Sequence, residues 1–296
     1  MNLQQKSSIP ERLFDGFNYF FMALLSLVCL YPFYYVLIYS ISDPRLAAKG
    51  IYLWPEHFTL SSYTQILKLG TVPHAFLVST EKTVIFTALC VYFSTMFAYL
   101  LTKREMLYRK LIYRFIVASM YLNAGLIPWY ITMRTYGLKD NFLLYIIPGV
   151  INAFYIILIK TYIEQIPSSL EESAQMDGAG FLTIYNRIIL PLSKPIVATI
   201  AVYAAVGCWN NWMDNYFLVN DPKLQTIQLI LYNYLNQATS LAQSAAQEAG
   251  STMRVRVSPE TIKMTITVIS VLPIVLVYPF LQRNFIKGIM LGAVKG

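Results

Sequence analysis

The 296-residue chain is 56% hydrophobic and 15% aromatic but only 13% charged, whereas soluble globular chains carry about 25% charged residues. So little charge excludes a soluble enzyme and a disordered chain, and three cysteines (Cys29, Cys90 and Cys208), all inside apolar runs, exclude a disulfide framework. The net charge of +8, from 23 Lys and Arg against 15 Asp and Glu, combines with this hydropathy to favour an anionic membrane surface over nucleic acid.

A helix needs about 20 mostly apolar residues to cross the hydrocarbon core. Six stretches qualify: Phe17 to Tyr39, Thr83 to Leu101, Phe115 to Met133, Phe142 to Ile159, Pro195 to Val219 and Met264 to Leu281. The first follows Glu11, Arg12 and Asp15 and lacks a small-residue cleavage site, so it reads as a retained span. Pro32, Pro128, Pro148, Pro273 and Pro279 fall inside the runs and predict kinks. Within these limits only Asp214 carries a formal charge; a lone ionisable group in the bilayer faces protein or a wet cavity, which makes it a candidate functional residue.

These boundaries predict an all-α polytopic membrane protein. It has a tail at 1–16, a transmembrane domain at 17–281 and a tail at 282–296. With both termini in the cytoplasm, the inner segments hold 13 basic residues in 79 positions and the outer ones 10 in 95. The short loop bearing Lys103, Arg104, Arg109, Lys110 and Arg114 decides the orientation. The outer loop, 220–263, contains Gln237 to Glu248, a run of helix formers with little apolar content that reads either as a surface for an external partner or as a solvated connector.

The inner loop, 160–194, is more specific. Ser168 with Glu171 and Ser169 with Glu172 both have capping-box spacing, which predicts a short helix. Gly178 lies where that helix should stop, and a second helix from about Phe181 to Leu190 should end at Pro191. Ser173, Ala174, Ala179 and Gly180 are small enough for another protein to approach closely. From the residues alone, this elbow reads either as a docking lever or as a surface loop.

Glu172, Ser173 and Ala174, then Gly178, then Ile188, Leu190 and Pro191, stand at the spacing of the Glu-Ala-Ala signature of permease subunits in ATP-binding-cassette importers, with serine for the first alanine. Tyr31-Pro32-Phe33, Ser40 to Pro44, Cys208-Trp209-Asn210-Asn211-Trp212, and the tail from Tyr278 to Arg283 and Lys287 to Met290 resemble carbohydrate permeases of the maltose type. Among these they are most similar to the branch handling oligosaccharides and polysaccharide fragments.

The resemblance implies a type I importer permease with a cytoplasmic coupling helix, a second permease subunit, two ATPase subunits carrying ATP and Mg, an external solute-binding protein and a carbohydrate cargo. Glu171, Glu172, Ser173, Ala174, Asp177, Gly178, Ile188, Leu190 and Pro191 would form the coupling segment. Either glutamate could instead only cap its own helix. The resemblance also places the tail from Lys287 to Gly296 near the ATPase dimer; its three glycines and its lysines read as a flexible cytoplasmic segment. The chain has no G-x-x-x-x-G-K-[ST] loop with which to hold ATP itself.

For the path, Trp209, Asn210, Asn211, Asp214 and Tyr216 lie within eight positions, and helical spacing puts Asn210, Asp214 and Phe217 on one side. Asn123, Asn152 and Tyr155 are further candidates, with Tyr121, Trp129 and Tyr130. Interfacial aromatic belts account for Trp129 and Trp212 without a ligand. A metalloenzyme would need clustered ligands, and His57 and His74 are the only histidines. A proton-coupled secondary transporter would need several midplane acids or bases. A permease for a non-sugar solute stays open as the alternative.

Overall fold

Every regular element among the described residues of the computed structural model is helical. The structure describes residues 9–51, 53–68, 70–236 and 259–293, with side chains as far as Pro279 in the last stretch. The predicted surface helix from Gln237 to Glu248 lies outside them.

The helices are α1 (Ile9–Ser40), α2 (Ser61–Lys68), α3 (Thr71–Thr102), α4 (Arg109–Ser119), α5 (Leu126–Thr135), α6 (Ala153–Ile163), α7 (Ser169–Met176), α8 (Phe181–Ile184 and its continuation to Leu192), α9 (Lys194–Asn210), α10 (Met213–Leu218), α11 (227–236) and α12 (Pro259–Ala293). Among the described residues, three stretches are long and apolar enough to cross a membrane unaided: Leu13–Ser40, Thr71–Thr102 and Glu260–Pro279. Two bent pairs, Phe142–Gly149 with Ala153–Ile163 at 47° and Phe181–Leu192 with Lys194–Asn210 at 82°, raise the number to five. The predicted six are therefore not all continuous helices.

The differences have local causes. The run Phe115 to Met133 is divided between α4 and α5 because Gly125 takes φ +81° and the Asn123 side chain accepts from its amide at 2.9 Å. The run Phe142 to Ile159 opens with two 3₁₀ turns, and α6 starts only after Asn152, whose Oδ1 accepts from the amides of Phe154 at 3.0 Å and Tyr155 at 3.3 Å. Pro128 and Pro148 thus sit in first turns, where a missing amide is an orphan anyway, rather than at kinks. Helix α3 begins at Thr71 instead of Thr83, which brings Lys82 inside it. The C-terminal tail is not loose at its start, since α12 continues through Lys287 to Ala293.

The described residues fall into two units, one within Met1–Leu69 and Tyr234–Ile269, the other within Gly70–Asn233 and Ser270–Gly296. In the first, Ile38, Tyr39, Ala47 and Ile51 form a small core, and Ser42 Oγ ties the end of α1 down by donating to Ile38 O and accepting from Glu56 N. Most of α1 turns its aromatic and aliphatic side chains outward, as a lipid-facing helix does because its backbone bonds are already satisfied within itself.

In the second unit, α3 packs lengthwise on α6 and α9. Ala98, Tyr99 and Leu101 of α3, Ile156, Ile159 and Ile163 of α6, Ile184, Tyr185 and Ile189 of α8, and Ile200 of α9 form one buried cluster. A second, around Val78, Leu144, Tyr145 and Leu218, closes the other end.

Candidate coupling segment and translocation path

Helix α7 starts without the predicted capping boxes. Ser168 adopts helical φ −62° and ψ −26° and gives no side-chain cap; its carbonyl accepts from the amides of Glu171 and Glu172. The Glu171 carboxylate is drawn to Lys103 at the end of α3, whose ammonium lies 4.0 Å from the Tyr99 ring centroid. A charge-assisted bond there outweighs reaching back to the helix start. Glu172 is exposed and makes no ion pair among the described residues.

Gly178 ends the helix as predicted. Its φ is +79°, its amide donates to Gln175 O and the Ala179 amide to Ala174 O, both at 2.9 Å. These are the two bonds of a Schellman cap.

The following helix does not end at Pro191. The chain passes through a π turn at Tyr185–Ile189, with the Leu190 amide reaching Tyr185 O, and runs on to Leu192. The buried residue Ser193 then joins it to α9 through the 82° bend.

The predicted small-residue face splits in two. Ala174 and Ala179, with Ile188 and Leu190, pack inward on the α3–α6–α8 cluster, whereas Ser173 and Gly180 stay exposed. Tyr185 anchors the elbow from inside, donating its hydroxyl to Tyr92 O at 2.9 Å. The outward face carries Leu170, Glu172, Met176 (88% exposed), Asp177, Phe181 and Leu182, with Pro191 exposed beyond them. Apolar groups at such exposure in a short polar helix form a patch suited to another protein.

The path candidates divide more sharply. Helix α9 stops at Asn210 because Asn211 is extended (φ −73°, ψ 110°), so Asn210 and Asp214 do not share one helical face. Asn211 Oδ1 accepts from the amides of Met213 and Asp214, and its Nδ2 donates to Asp214 Oδ2 at 2.7 Å. Asn152, Tyr155, Asn211 and Asp214 line one cavity of about 160 Å³ with Phe86, Tyr145 and Gly149. Gly149 lets the Phe86 ring approach the backbone: a Cβ would lie 2.7 Å from Phe86 Cε2 and the ring would have to shift.

The other candidates lie elsewhere. Trp209 is buried, donating Nε1–H to Ser270 O at 3.0 Å. Asn210 is exposed and accepts from Gln228 at 3.4 Å. Tyr216 joins an aromatic group in which Trp212 stacks on Tyr232 at 4.1 Å, and Asn123 holds its own turn.

Beside the cavity, Asn215 is fully buried, donating to the Tyr145 hydroxyl at 2.7 Å and accepting from Thr226 N at 2.9 Å. Further out, Asp140 (φ +52°) accepts from the backbone amides of Asn220 and Asp221, which hold its carboxyl below the usual carboxylate range.

The family model of the binding-protein-dependent transport system inner membrane component matches residues 91–290. The chain belongs to that family. It is 37% identical over 287 residues to Protein LplC of Bacillus subtilis (strain 168), covering 96% of each chain. It is also 37% identical to the polygalacturonan/rhamnogalacturonan transport system permease protein YtcP of the same organism, covering 97% of this chain and all of that one. A crystal structure of a bacterial ABC transporter involved in the import of the acidic polysaccharide alginate contains a chain with 30% identity and a TM-score of 0.82, covering 94% of this chain and 99% of that one.

As an importer permease, the chain is a multi-pass membrane subunit with the type I fold, and ATP hydrolysis belongs to separate ATPase subunits. One buried group escapes a span-by-span reading. Lys82 is 1% exposed and its Nζ donates to Asn211 O at 3.0 Å. The signal was the helical stripe Ala75, Val78, Ser79, Lys82, which is buried throughout and hidden by starting the span at Thr83.

Proposed function

We propose that this permease forms half of the translocation path for an oligosaccharide or polysaccharide fragment and transmits ATPase closure to that path through α7 and α8. The elbow at Gly178, with its outward Glu172, Met176 and Phe181, carries this reading. Its inner face is locked to α3, α6 and α9, so a push on the exposed face moves the transmembrane helices rather than a loop. Ser193 passes the motion directly into α9, which ends at the cavity.

The complex would comprise a second permease subunit, two ATPase subunits binding ATP and Mg, and an external solute-binding protein, with both termini of this chain cytoplasmic. Asn152, Tyr155, Asn211 and Asp214 offer amide, hydroxyl and carboxylate groups to sugar hydroxyls beside the ring of Phe86. A route must release its cargo, so a few such groups suit it better than one tight pocket. The sugar reading is supported by a relative named for polygalacturonan/rhamnogalacturonan transport and by a structural neighbour involved in alginate import.

Uptake by proteoliposomes holding the assembled importer and its binding protein tests the cargo. Labelled uronic-acid and neutral oligosaccharides should accumulate with ATP supplied to the ATPase side. Accumulation confined to non-sugar solutes would overturn the sugar assignment.

A further inference from the structure

Lys82 is the one lysine or arginine side chain in the buried set among the described residues, and it lies inside α3, at the start of that helix's apolar run. A cation in that setting is costly unless it is paired. Two contacts surround it, the Asn211 carbonyl at 3.0 Å and the Tyr145 ring with its centroid at 5.1 Å, and Asp214 attracts it electrostatically from beyond contact. No direct Lys82–Asp214 ion pair is among the described ones. Asn211 stands between them, giving its carbonyl to the lysine and its side-chain amide to Asp214 Oδ2 at 2.7 Å. The three residues meet where α9 breaks and α10 begins.

We propose that Lys82 is the internal counter-ion of Asp214, acting through Asn211 as a positioning residue that fixes the α9–α10 break and holds the carboxylate at the cavity wall. The break leaves the Asn211 carbonyl outside any helical ladder, and Lys82 satisfies it. The positive charge lets Asp214 stay ionised without a cation of its own inside the cavity, leaving Oδ1 with no described partner and available to cargo. Helix α3, packed on α9, thereby sets the geometry of a break in another element.

The inference concerns assembly of the fold and is separate from whether Asp214 touches sugar. The test uses the whole importer with Lys82→Gln, Lys82→Met, Asp214→Asn and the pairs Lys82→Gln/Asp214→Asn and Lys82→Met/Asp214→Asn. The amount of assembled complex recovered from membranes is measured apart from uptake. Gln retains a hydrogen-bond donor for the Asn211 carbonyl but removes the charge.

The counter-ion role predicts that Lys82→Gln and Lys82→Met each lower assembly about tenfold, since removing one partner strands a buried charge. Adding Asp214→Asn should restore assembly of Lys82→Gln to within about twofold of wild type, and that of Lys82→Met only in part, because the Asn211 carbonyl then has no donor. Wild-type assembly of Lys82→Gln would overturn the proposal, because a hydrogen bond alone would then suffice. Failure of Asp214→Asn to rescue Lys82→Gln would overturn it as well. Low uptake by a rescued, fully assembled double variant supports the path role of Asp214, while normal uptake removes that role and leaves the counter-ion role standing.

Discussion

Asp140 and Gly149 show two ways in which a single position holds the fold together, one by charge and one by the lack of a side chain. The Asp140 carboxylate is exposed and holds two successive amides, those of Asn220 and Asp221. Its folded value lies below the unfolded one, so its contribution is complete above about pH 4 and is lost as pH falls through the lower folded value. Asp140→Asn keeps an acceptor and tolerates the positive φ, so its unfolding midpoint should not show that acid-side loss. A wild-type midpoint equally flat below pH 4 would count against the role of the charge. At Gly149 the constraint is steric, because Phe86 occupies the place of a side chain. Gly149→Ala should destabilise by about 1–3 kcal/mol through overpacking, and Phe86→Leu should recover part of it, as a double-mutant cycle on the thermal midpoint would show.

At the scale of elements, two neighbouring glutamates do different work. Glu171 holds α7 to α3 through Lys103, whereas Glu172 is turned outward. Exchanging the charges as Lys103→Glu/Glu171→Lys should recover the roughly 1 kcal/mol lost in either single variant, measured by heat stability of the complex. Glu172→Ala should leave heat stability unchanged and weaken retention of the ATPase during purification. Equal retention in both glutamate variants would show that the outward carboxylate has no docking role. The Ser168–Glu171 box predicted from spacing did not form because a sequence shows Ser and Glu at the correct interval but not a lysine 68 positions away. Gly178 was legible because its left-handed conformation is a local demand that glycine alone meets cheaply.

For the whole molecule, the apolar runs identified the membrane class and the signature spacing located the elbow. The number of continuous spans was less legible, since averaging over about 19 residues hides a short interruption. Asn123, Asn152 and Asn211 each make such an interruption by accepting a nearby amide, and each had read as a path candidate for its polarity. Asn152 and Asn211 also line the cavity, a double placement that polarity alone could not reveal. Lys82 was missed because a charge at the edge of a hydrophobic run looks like a boundary, while its place on the buried stripe of α3 emerges only from helical phase. The proposed orientation places α7 inside the cell. A cysteine at Ser169 should resist an impermeant thiol reagent in intact cells and react after permeabilisation; labelling in intact cells would invert the topology.

Coupling through the elbow is tested most directly by ATP hydrolysis of the reconstituted importer, with and without cargo-loaded binding protein, for wild type and Gly178→Val. Nothing lies within 4 Å of a Cβ at Gly178, so within this chain the cost of valine is set by backbone strain at positive φ, about 1–2 kcal/mol. The account predicts that valine abolishes stimulation while the complex remains assembled in the membrane. Stimulation equal to wild type in an assembled Gly178→Val importer would contradict it.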